Sequence, residues 1–289
     1  MSGELRFAKY QGAGNDFVMV LDLDDRSPVD AGTSAALCDR RFGVGADGTI
    51  RVVGRDGGFW MDYRNADGSV AEMCGNGARC VAAFLRDEGV GGTEAFDLHT
   101  GSGTRRVEPS GDGRFTVGMG RPRFARSKIP MRGPAWETFL GQQLDIGGGL
   151  LVTATALSMG NPHLVLFVED DPARFHVGHI GPALERDERF PEGVNVEFAR
   201  VGPDRAIDAR VWERGSGETM ACGSGACAVA VAAGEAGLAE GRVVVRFPGG
   251  DLEVERADDG EVLLTGDAVR VFDGSIDLDR LRASGDLRR

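Results

Sequence analysis

The sequence predicts an α+β protein of two pseudo-symmetric domains, each a curved, barrel-like β-sheet around a central α-helix. Three observations predict this fold. A set of motifs occurs twice in the same order, an apolar segment of helical periodicity follows each copy of the last motif, and short β-branched or aromatic segments surround both helices. Ordered repetition of this kind is typical of a duplicated domain.

The repeat is clearest in two cysteine-containing segments, which we call the cysteine boxes. "AEMCGNGARC" occupies residues 71–80 and "TMACGSGAC" residues 219–227, so Cys-Gly-x-Gly-Ala recurs after 222 − 74 = 148 residues. Two further motifs recur upstream of each box, in the same order. The matching residues are Arg41, Phe42 and Gly45 with Arg189, Phe190 and Gly193, and Gly14 and Asn15 with Gly160 and Asn161.

Each cysteine box is predicted to begin a helix. In the first half apolar residues follow the i, i+3, i+4, i+7 spacing from Ala78 to Leu85, and in the second half every residue from Ala226 to Ala233 is apolar. Helices with so little polar surface are expected in a core. Strands are predicted at short segments bounded by Gly, Asp or Pro, namely "FWMDY", "VVVRF", "LEVE", "EVLL" and "VRVF".

The predicted domains are 1–121 together with 267–289, and 122–266. "RPRFARSKIPMRGP" (121–134) carries three prolines, so we expect it to hold the crossing between the domains. The strand-like tail after Gly266 is expected to return to the first domain.

Composition limits the classes of function. The formal net charge of −12 over 289 residues argues against a broad nucleic-acid or lipid-binding surface. Five cysteines, an odd number, argue against a complete disulfide framework. The first residues, "MSGELRFAKY", show no apolar run like that of a secretory signal, and no segment offers about 18 uninterrupted apolar residues, so we expect no membrane span. We therefore expect a cytoplasmic protein that binds a small molecule, without nucleic acid or membrane partners, and we leave a homodimer open.

The boxes suggest acid–base chemistry at two thiols. Cys74 and Cys222 precede glycine pairs whose backbone N–H groups can face a bound anion, and a helix N-terminus favours both an anion and a thiolate. If the two helices open into one cleft, one thiolate can remove a proton from a carbon while the other thiol protonates the opposite face. An electron-sink cofactor is not indicated, since Lys9 and Lys128 are the only lysines and neither lies in a Schiff-base context.

The chain resembles the diaminopimelate epimerase family over nearly its full length. The motifs that carry the resemblance are "QGAGNDFVMVLD" (11–22), "RRFGVGADG" (40–48), "NADGSVAEMCGNGARC" (65–80), "SMGNPH" (158–163), "FPEGVN" (190–195) and "ERGSGETMACGSGAC" (213–227). The resemblance implies an isomerase with two pseudo-symmetric domains and no cofactor or metal. It would convert LL-2,6-diaminopimelate to the meso form, on the route to lysine and peptidoglycan precursors.

The resemblance also implies roles for individual residues. Cys74 and Cys222 correspond to the acid–base thiols, and His163 and Glu213 to groups that tune them. The backbone cradles for the substrate carboxylate are Gly75-Asn76 and Gly223-Ser224. The remaining substrate contacts are Asn15, Asn65, Asn161, Asn195, Glu213 and Arg214, with Arg214 suited to grip the distal carboxylate. One departure is Gly48, where some relatives have Gln, so a side-chain contact from that position is not expected here.

Other interpretations of the same residues stay open at this point. Cys74 and Cys222 can be structural, as we expect for Cys38, Cys80 and Cys227. The asparagines can simply shape turns. A metal site or a phosphate loop is disfavoured, because neither C-x-x-C nor G-x-x-x-x-G-K-[ST] occurs. The alternative functions are another racemase, dehydratase or isomerase of the same fold, and a thiol redox switch.

Overall fold

The computed structural model describes residues 3–27, 29–55, 57–71 and 73–281. The chain forms two compact units, 1–117 with 266–289, and 118–265. The first unit is therefore discontinuous in sequence. Whether these units correspond to functional domains divided after 121 and 266 stays a prediction.

The first unit combines one β-sheet with two helices. Its strands are β1 (Glu4–Gly12), β2 (Asn15–Leu21), β3 (Gly48–Arg55), β4 (Gly58–Asn65), β5 (Phe96–Thr100), β6 (Gly103–Pro109), β7 (Phe115–Gly118) and, from the end of the chain, β17 (Val269–Asp277). Its helices are α1 (Ala31–Cys38) and α2 (Gly75–Asp87). The strand after Gly266 pairs antiparallel with β1 along its length.

The second unit has the same kinds of element. Its strands are β8 (Phe139–Asp145), β9 (Leu151–Ser158), β10 (Pro162–Phe167), β11 (Asn195–Val201), β12 (Ile207–Glu213), β13 (Gly217–Thr219), β14 (Val243–Phe247), β15 (Gly250–Arg256) and β16 (Val262–Gly266). Its helices are α3 (Val177–Glu185) and α4 (Gly223–Glu235), and two short 3-10 helices lie at Arg126–Lys128 and Pro172–Arg174.

The two sheets have the same strand order and the same strand directions. In the first the order is β17-β1-β2-β3-β4-β5-β6-β7, and in the second β8-β9-β10-β11-β12-β14-β15-β16, with β13 added to the end of β12. The parallel pairs are β2–β3 and β4–β5, matched by β10–β11 and β12–β14. The first strand of one sheet, β17, comes from the end of the chain, in line with the expected return of the tail after Gly266.

The helices α2 and α4 are the buried centres of the two units. Each has 13 residues, α2 packs against β1, β2, β3, β6 and β17, and α4 packs against β9, β10, β11, β12, β14 and β15. From Ala226 to Ala233 every residue of α4 is buried. The α+β fold, the two central helices and the strands quoted from the sequence are all confirmed. Among the described residues, no helix has both the length and the apolar composition needed to span a membrane.

Candidate active site

Cys74 is the N-cap of α2. Its backbone is extended, and its Sγ accepts a hydrogen bond from the backbone N–H of Gly77 at 3.4 Å. A Cβ at position 77 would lie 2.8 Å from both Ile50 Cδ1 and Met61 Cε, so the glycine lets the first turn of α2 approach the sheet closely. The half-buried sulfur of Cys74 is thereby held beside the first backbone N–H groups of α2, which form no hydrogen bonds within the helix.

The side chain of Asn15 links Cys74 to a carboxylate. The Cys74 Sγ donates to Asn15 Oδ1 at 3.4 Å, and Asn15 Nδ2 donates to Asp47 Oδ2 at 2.8 Å. Asp47 forms an ion pair with Arg40, at 2.7 Å, and a carboxylate only accepts hydrogen bonds. The amide of Asn15 must therefore turn its NH₂ group to Asp47 and its oxygen to Cys74.

A charged cluster behind Asn15 supports this arrangement. Asp16 pairs with the buried Lys9 at 2.7 Å and with Arg40 at 2.7 Å, and Lys9 also donates to the carbonyl oxygen of Gly45. Burial by itself would raise the pKa of Asp16, but the hydrogen bonds and charges of Arg40 and Lys9 outweigh it and hold the pKa at about 2. Asp16 is therefore an anion that anchors both cations beside Asp47.

The other two asparagines of the first unit lie at the end of β4 and in the first turn of α2. Asn65 donates from Nδ2 to Ser69 Oγ at 3.0 Å. Asn76 is buried, and its Oδ1 accepts from the buried guanidinium of Arg79 at 2.8 Å. Since its carbonyl oxygen is occupied by Arg79, Asn76 is held as part of the helix start, and its side chain does not project into solvent.

Cys222 repeats the position of Cys74 in the second unit. It is the N-cap of α4, and its Sγ accepts from the backbone N–H of Gly225 at 3.4 Å and lies 3.5 Å from Ser224 Oγ. The expectation that this thiol has a lowered pKa is wrong. Burial first, and then the charges of Glu213 and Glu197, raise the pKa of Cys222 well above that of an ordinary thiol, against the smaller lowering effects of Ser224 and Gly225.

A line of hydrogen-bonded side chains leads from Cys222 into the core. Asn161 Nδ2 donates to Ser224 Oγ at 3.3 Å, and Asn161 Oδ1 lies 2.9 Å from His163 Nε2. His163 Nδ1 lies 2.7 Å from Glu197 Oε1, and both side chains are completely buried. The structure therefore brings together Ser224, Asn161, His163 and Cys222, which the sequence analysis singled out, and adds Glu197.

The remaining residues singled out in the second unit surround the end of β12. Asn195 donates from Nδ2 to the carbonyl oxygen of Pro162 at 3.0 Å and accepts at Oδ1 from the backbone N–H of Arg214 at 2.8 Å. The exposed guanidinium of Arg214 donates to the carbonyl oxygen of Glu192 at 3.0 Å. Glu213 accepts a hydrogen bond from the hydroxyl of Thr219. Asn195 thus positions the backbone of Arg214, and the cationic group keeps donors for an anion.

Among the network residues that sequence analysis missed are Asp47 and Glu197, which lie at the far ends of the hydrogen-bonded lines from Cys74 and Cys222. Asp47 follows directly on a glycine-rich turn, where an acidic residue is unremarkable. Glu197 offered a stronger signal, because it is an acidic residue between the apolar residues Val196 and Phe198 of the strand-like segment "NVEFARV". A carboxyl group in such a place needs a partner when it is buried, and a search for one leads to His163.

The structure also explains the glycine at position 48. A Cβ there would lie 2.5 Å from the carbonyl oxygen of Arg64 and 2.6 Å from the ring carbon Cε2 of Tyr63. The Tyr63 ring occupies the space that a side chain at this position would need. Among the described residues there is no group of three or more His, Cys, Asp or Glu side chains that could hold a metal ion.

A family model described as diaminopimelate epimerase matches residues 7–125 and 155–271. The chain belongs to the diaminopimelate epimerase family. The chloroplastic diaminopimelate epimerase of Oryza sativa subsp. japonica is 46% identical over 94% of this chain and 80% of its own length. The diaminopimelate epimerase of Desulforudis audaxviator is 46% identical over 93% of this chain and 98% of its own length. That of a Cyanothece strain is 44% identical over 93% and 99%.

Solved structures share the fold at much lower identity. A hydroxyproline epimerase of Agrobacterium vitis with bound trans-4-hydroxy-L-proline has a TM-score of 0.68 at 13% identity, covering 96% of this chain and 94% of its own. A phenazine biosynthesis protein of Bacillus anthracis has a TM-score of 0.68 at 15% identity, covering 94% and 99%. Membership of the diaminopimelate epimerase family, expected from the motifs, is therefore confirmed, and the fold is the one that this family shares with these proteins.

Proposed function

We propose that this chain is an isomerase that inverts one α-carbon of LL-2,6-diaminopimelate to give the meso form, using Cys74 and Cys222 as its two acid–base groups. Family membership supports the substrate and the reaction. The observation that carries the mechanism is that both cysteines are N-caps of the central helices of two sheets with the same strand order. Two thiols in equivalent positions fit a reaction that removes a proton from one face of a carbon and adds a proton to the opposite face.

In the proposed reaction one cysteine acts as a thiolate and removes the α-proton. The other cysteine, as a thiol, donates its proton to the opposite face of the carbon, and the two exchange roles in the reverse direction. The negative charge that develops next to the substrate carboxylate needs donors already in place. The backbone N–H groups at the starts of α2 and α4, at Gly75-Asn76 and Gly223-Ser224, are suited to this role because the helix does not use them.

The distal end of the substrate carries a carboxylate and an ammonium group. Arg214 has the planar guanidinium that binds a carboxylate through two parallel hydrogen bonds, and Asn195 holds its backbone in place. Glu213, next in sequence, is suited to the ammonium group. Asn15, Asn65 and Asn161 complete the proposed polar contacts. His163 and Glu213 are proposed to tune the thiols. The proposal also includes a cytoplasmic location, a homodimer as the assembly to test, and no cofactor.

The test is incubation of the purified, metal-free and cofactor-free protein with LL-diaminopimelate in deuterated buffer. We expect conversion to the meso form with one deuterium at the inverted carbon, detected by chiral chromatography and mass spectrometry. The double variant Cys74→Ser/Cys222→Ser is the control for background exchange. A folded, reduced protein that neither inverts nor exchanges this substrate would contradict the proposal, and the same assay with proline would then test the other racemases of the fold.

A further inference from the structure

Glu197 is a carboxyl group in the core of the second unit that the proposed mechanism does not use. It lies in β11 with none of its side chain exposed, and its Oε1 would be only 2.9 Å from a Cβ at position 225. Gly225, in the first turn of α4, is therefore what admits the carboxyl group so close to the helix that begins after Cys222. The close approach indicates a positioned group rather than a residue that fills space.

The surroundings of Glu197 favour the protonated acid. Oε1 has His163 as its partner, at 2.7 Å, while Oε2 has no hydrogen-bond partner among the described residues. A buried carboxylate with one oxygen unsatisfied is costly, whereas a carboxylic acid can donate from Oε1 and leave only a neutral carbonyl oxygen unpaired. Burial raises the pKa of Glu197, in agreement with this assignment, although its interaction with His163 acts against it.

If Glu197 is protonated, the donor and the acceptor of every hydrogen bond between Glu197 and Cys222 are determined. If Glu197 donates to His163 Nδ1, the neutral imidazole carries its proton on Nε2 and donates it to Asn161 Oδ1, 2.9 Å away. The oxygen of Asn161 is then occupied, so its NH₂ group faces Ser224 Oγ at 3.3 Å. The Ser224 hydroxyl accepts from Asn161 and is left to donate its own proton to the Cys222 sulfur, at 3.5 Å.

We propose that Glu197 is a positioning residue for Cys222, acting through His163, Asn161 and Ser224 as a chain of hydrogen bonds that are all donated toward the sulfur. This inference rests on the proposed function, in which Cys222 must alternate between thiol and thiolate. A chain with this polarity favours the thiolate, because each donor points toward the developing negative charge and polarises the next.

The other groups around Cys222 act in the opposite direction. Glu213 at the end of β12 opposes ionisation of the thiol, as does burial, and the backbone N–H of Gly225 in α4 favours it. Glu197 in β11 opposes ionisation only while it carries a charge. Protonation of Glu197 removes that charge and makes Glu197 the first donor of the chain. His163 in β10 accepts from Glu197 and donates to Asn161, so it passes on the direction of the hydrogen bonds without changing the net charge.

The test compares two replacements of Glu197 in a Cys74→Ser background. Glu197→Met fills a similar volume but cannot donate a hydrogen bond. The chain then loses its first donor, and the direction of the following hydrogen bonds is no longer determined. Glu197→Gln is also neutral, but its amide N–H can still donate to His163 Nδ1. The readout is the far-ultraviolet absorbance of the Cys222 thiolate as a function of pH, taken as the difference from the same protein with Cys222→Ser. This difference cancels the other cysteines and the tyrosines and needs no substrate.

We expect the Cys222 titration in Glu197→Met to move to higher pH by on the order of one pH unit, the equivalent of one hydrogen bond. In Glu197→Gln we expect it to stay near that of the parent protein. A shift to lower pH in both variants would overturn the proposal, since it would show that Glu197 acts as a buried anion. Unchanged titrations in both variants, or equal upward shifts in both, would overturn it as well.

A matched control separates this effect from a loss of stability. Glu185 in α3 is another carboxyl group that accepts from a ring nitrogen, Trp212 Nε1, at 2.7 Å, and it lies outside the chain to Cys222. Glu185→Gln should lower the melting temperature without moving the Cys222 titration. Epimerisation is measured separately with Cys74 intact, where Glu197→Met should shift the pH profile of kcat/KM. Failure of the parent protein to epimerise diaminopimelate would contradict the proposed function alone.

Discussion

The two cysteine boxes have the same backbone geometry but different side-chain partners, and in our proposal their hydrogen bonds have opposite polarity. In the first unit Cys74 donates to Asn15, and Asn15 donates to the anion Asp47, so the bonds run away from the sulfur. In the second unit Asn161 donates to Ser224, whose Oγ lies 3.5 Å from the Cys222 sulfur, and we propose that these bonds run toward the sulfur. The two asparagines occupy equivalent places in the repeat, and the partner behind each decides which way its amide turns.

This difference shows how a duplicated site can become asymmetric without changing its fold. With the shift of 148, Asp47 falls on Asn195 and Thr49 falls on Glu197, and with the shift of 160 − 14 = 146, Phe17 falls on His163. In the first unit Thr49 forms a hydrogen bond with Ser34 at 2.6 Å, whereas Glu197 reaches His163. The same box therefore has different side-chain partners in the two units, and in our proposal those of the second unit partly offset the burial and the Glu213 charge that raise the pKa of Cys222.

The largest expected effect comes from removing either thiol. Serine keeps a similar shape but does not ionise near neutral pH, so Cys74→Ser and Cys222→Ser should each lose on the order of 10²–10⁴-fold in epimerisation in both directions. The remaining thiolate should exchange the α-proton of one stereoisomer, and the two variants should prefer opposite isomers. Deuterium exchange into LL- and meso-diaminopimelate, followed separately by mass spectrometry, measures this preference. Exchange of the same isomer by both variants would contradict the assignment of one thiol to each face of the α-carbon.

The next effect concerns Arg214, which belongs to the second unit and has no arginine counterpart in the first, where Ala66 stands at the equivalent place. A lysine keeps the charge but not the paired hydrogen bonds, so Arg214→Lys should lower kcat/KM by about 10- to 100-fold. Steady-state kinetics with LL-diaminopimelate measure the loss. Arg210→Lys is the matched control, because Arg210 pairs with Glu218 on the neighbouring strand. Equal losses in both variants would assign the effect to the strand rather than to the substrate.

A smaller effect is expected from Asp47→Asn, which removes the anion that orients Asn15. The Asn15 amide can then turn its NH₂ group toward Cys74, which reverses the polarity in the first unit. Exchange of the isomer that depends on Cys74 should change by about five-fold, the equivalent of one hydrogen bond, with exchange of the other isomer little affected. Asp62→Asn is the control, since Asp62 pairs with Arg51 at 3.0 Å and is not part of this network. An equal change for both isomers would contradict the assignment.

The smallest effect is on acid stability, through Asp16. Its folded pKa of about 2 lies below the usual value for Asp, so the stabilisation it contributes is present above about pH 4 and is lost as the pH falls toward the folded pKa. Asp16→Asn should therefore lower the melting temperature at neutral pH and weaken its dependence on pH below about 4. Thermal unfolding at several pH values checks this. A variant with an unchanged acid profile would show that Lys9 and Arg40 do not stabilise Asp16 in the folded protein.

The sequence by itself determined the fold class, the family and the two cysteine positions. The Cys-Gly-x-Gly-Ala boxes placed an N-cap and a close-packed first turn at the start of each central helix, and both helices begin directly after the cysteine. These features are local, because capping and glycine requirements act within one turn of a helix. The apolar face of each helix was equally clear, since burial follows from the spacing of the residues alone.

The tertiary structure decided the electrostatics of each box. The helix terminus predicted a lowered pKa for Cys222, but burial first, and then the carboxylate of Glu213 at the end of β12, outweigh its effect. Glu197 is 25 residues before Cys222 (222 − 197), and Asp47 is 32 residues after Asn15 (47 − 15), so neither partnership follows from sequence spacing. The pKa of a group depends on every charge and hydrogen bond within a few ångströms, and strand pairing brings those groups together. The repeat placed the thiols, and the side-chain packing within each unit made their surroundings different.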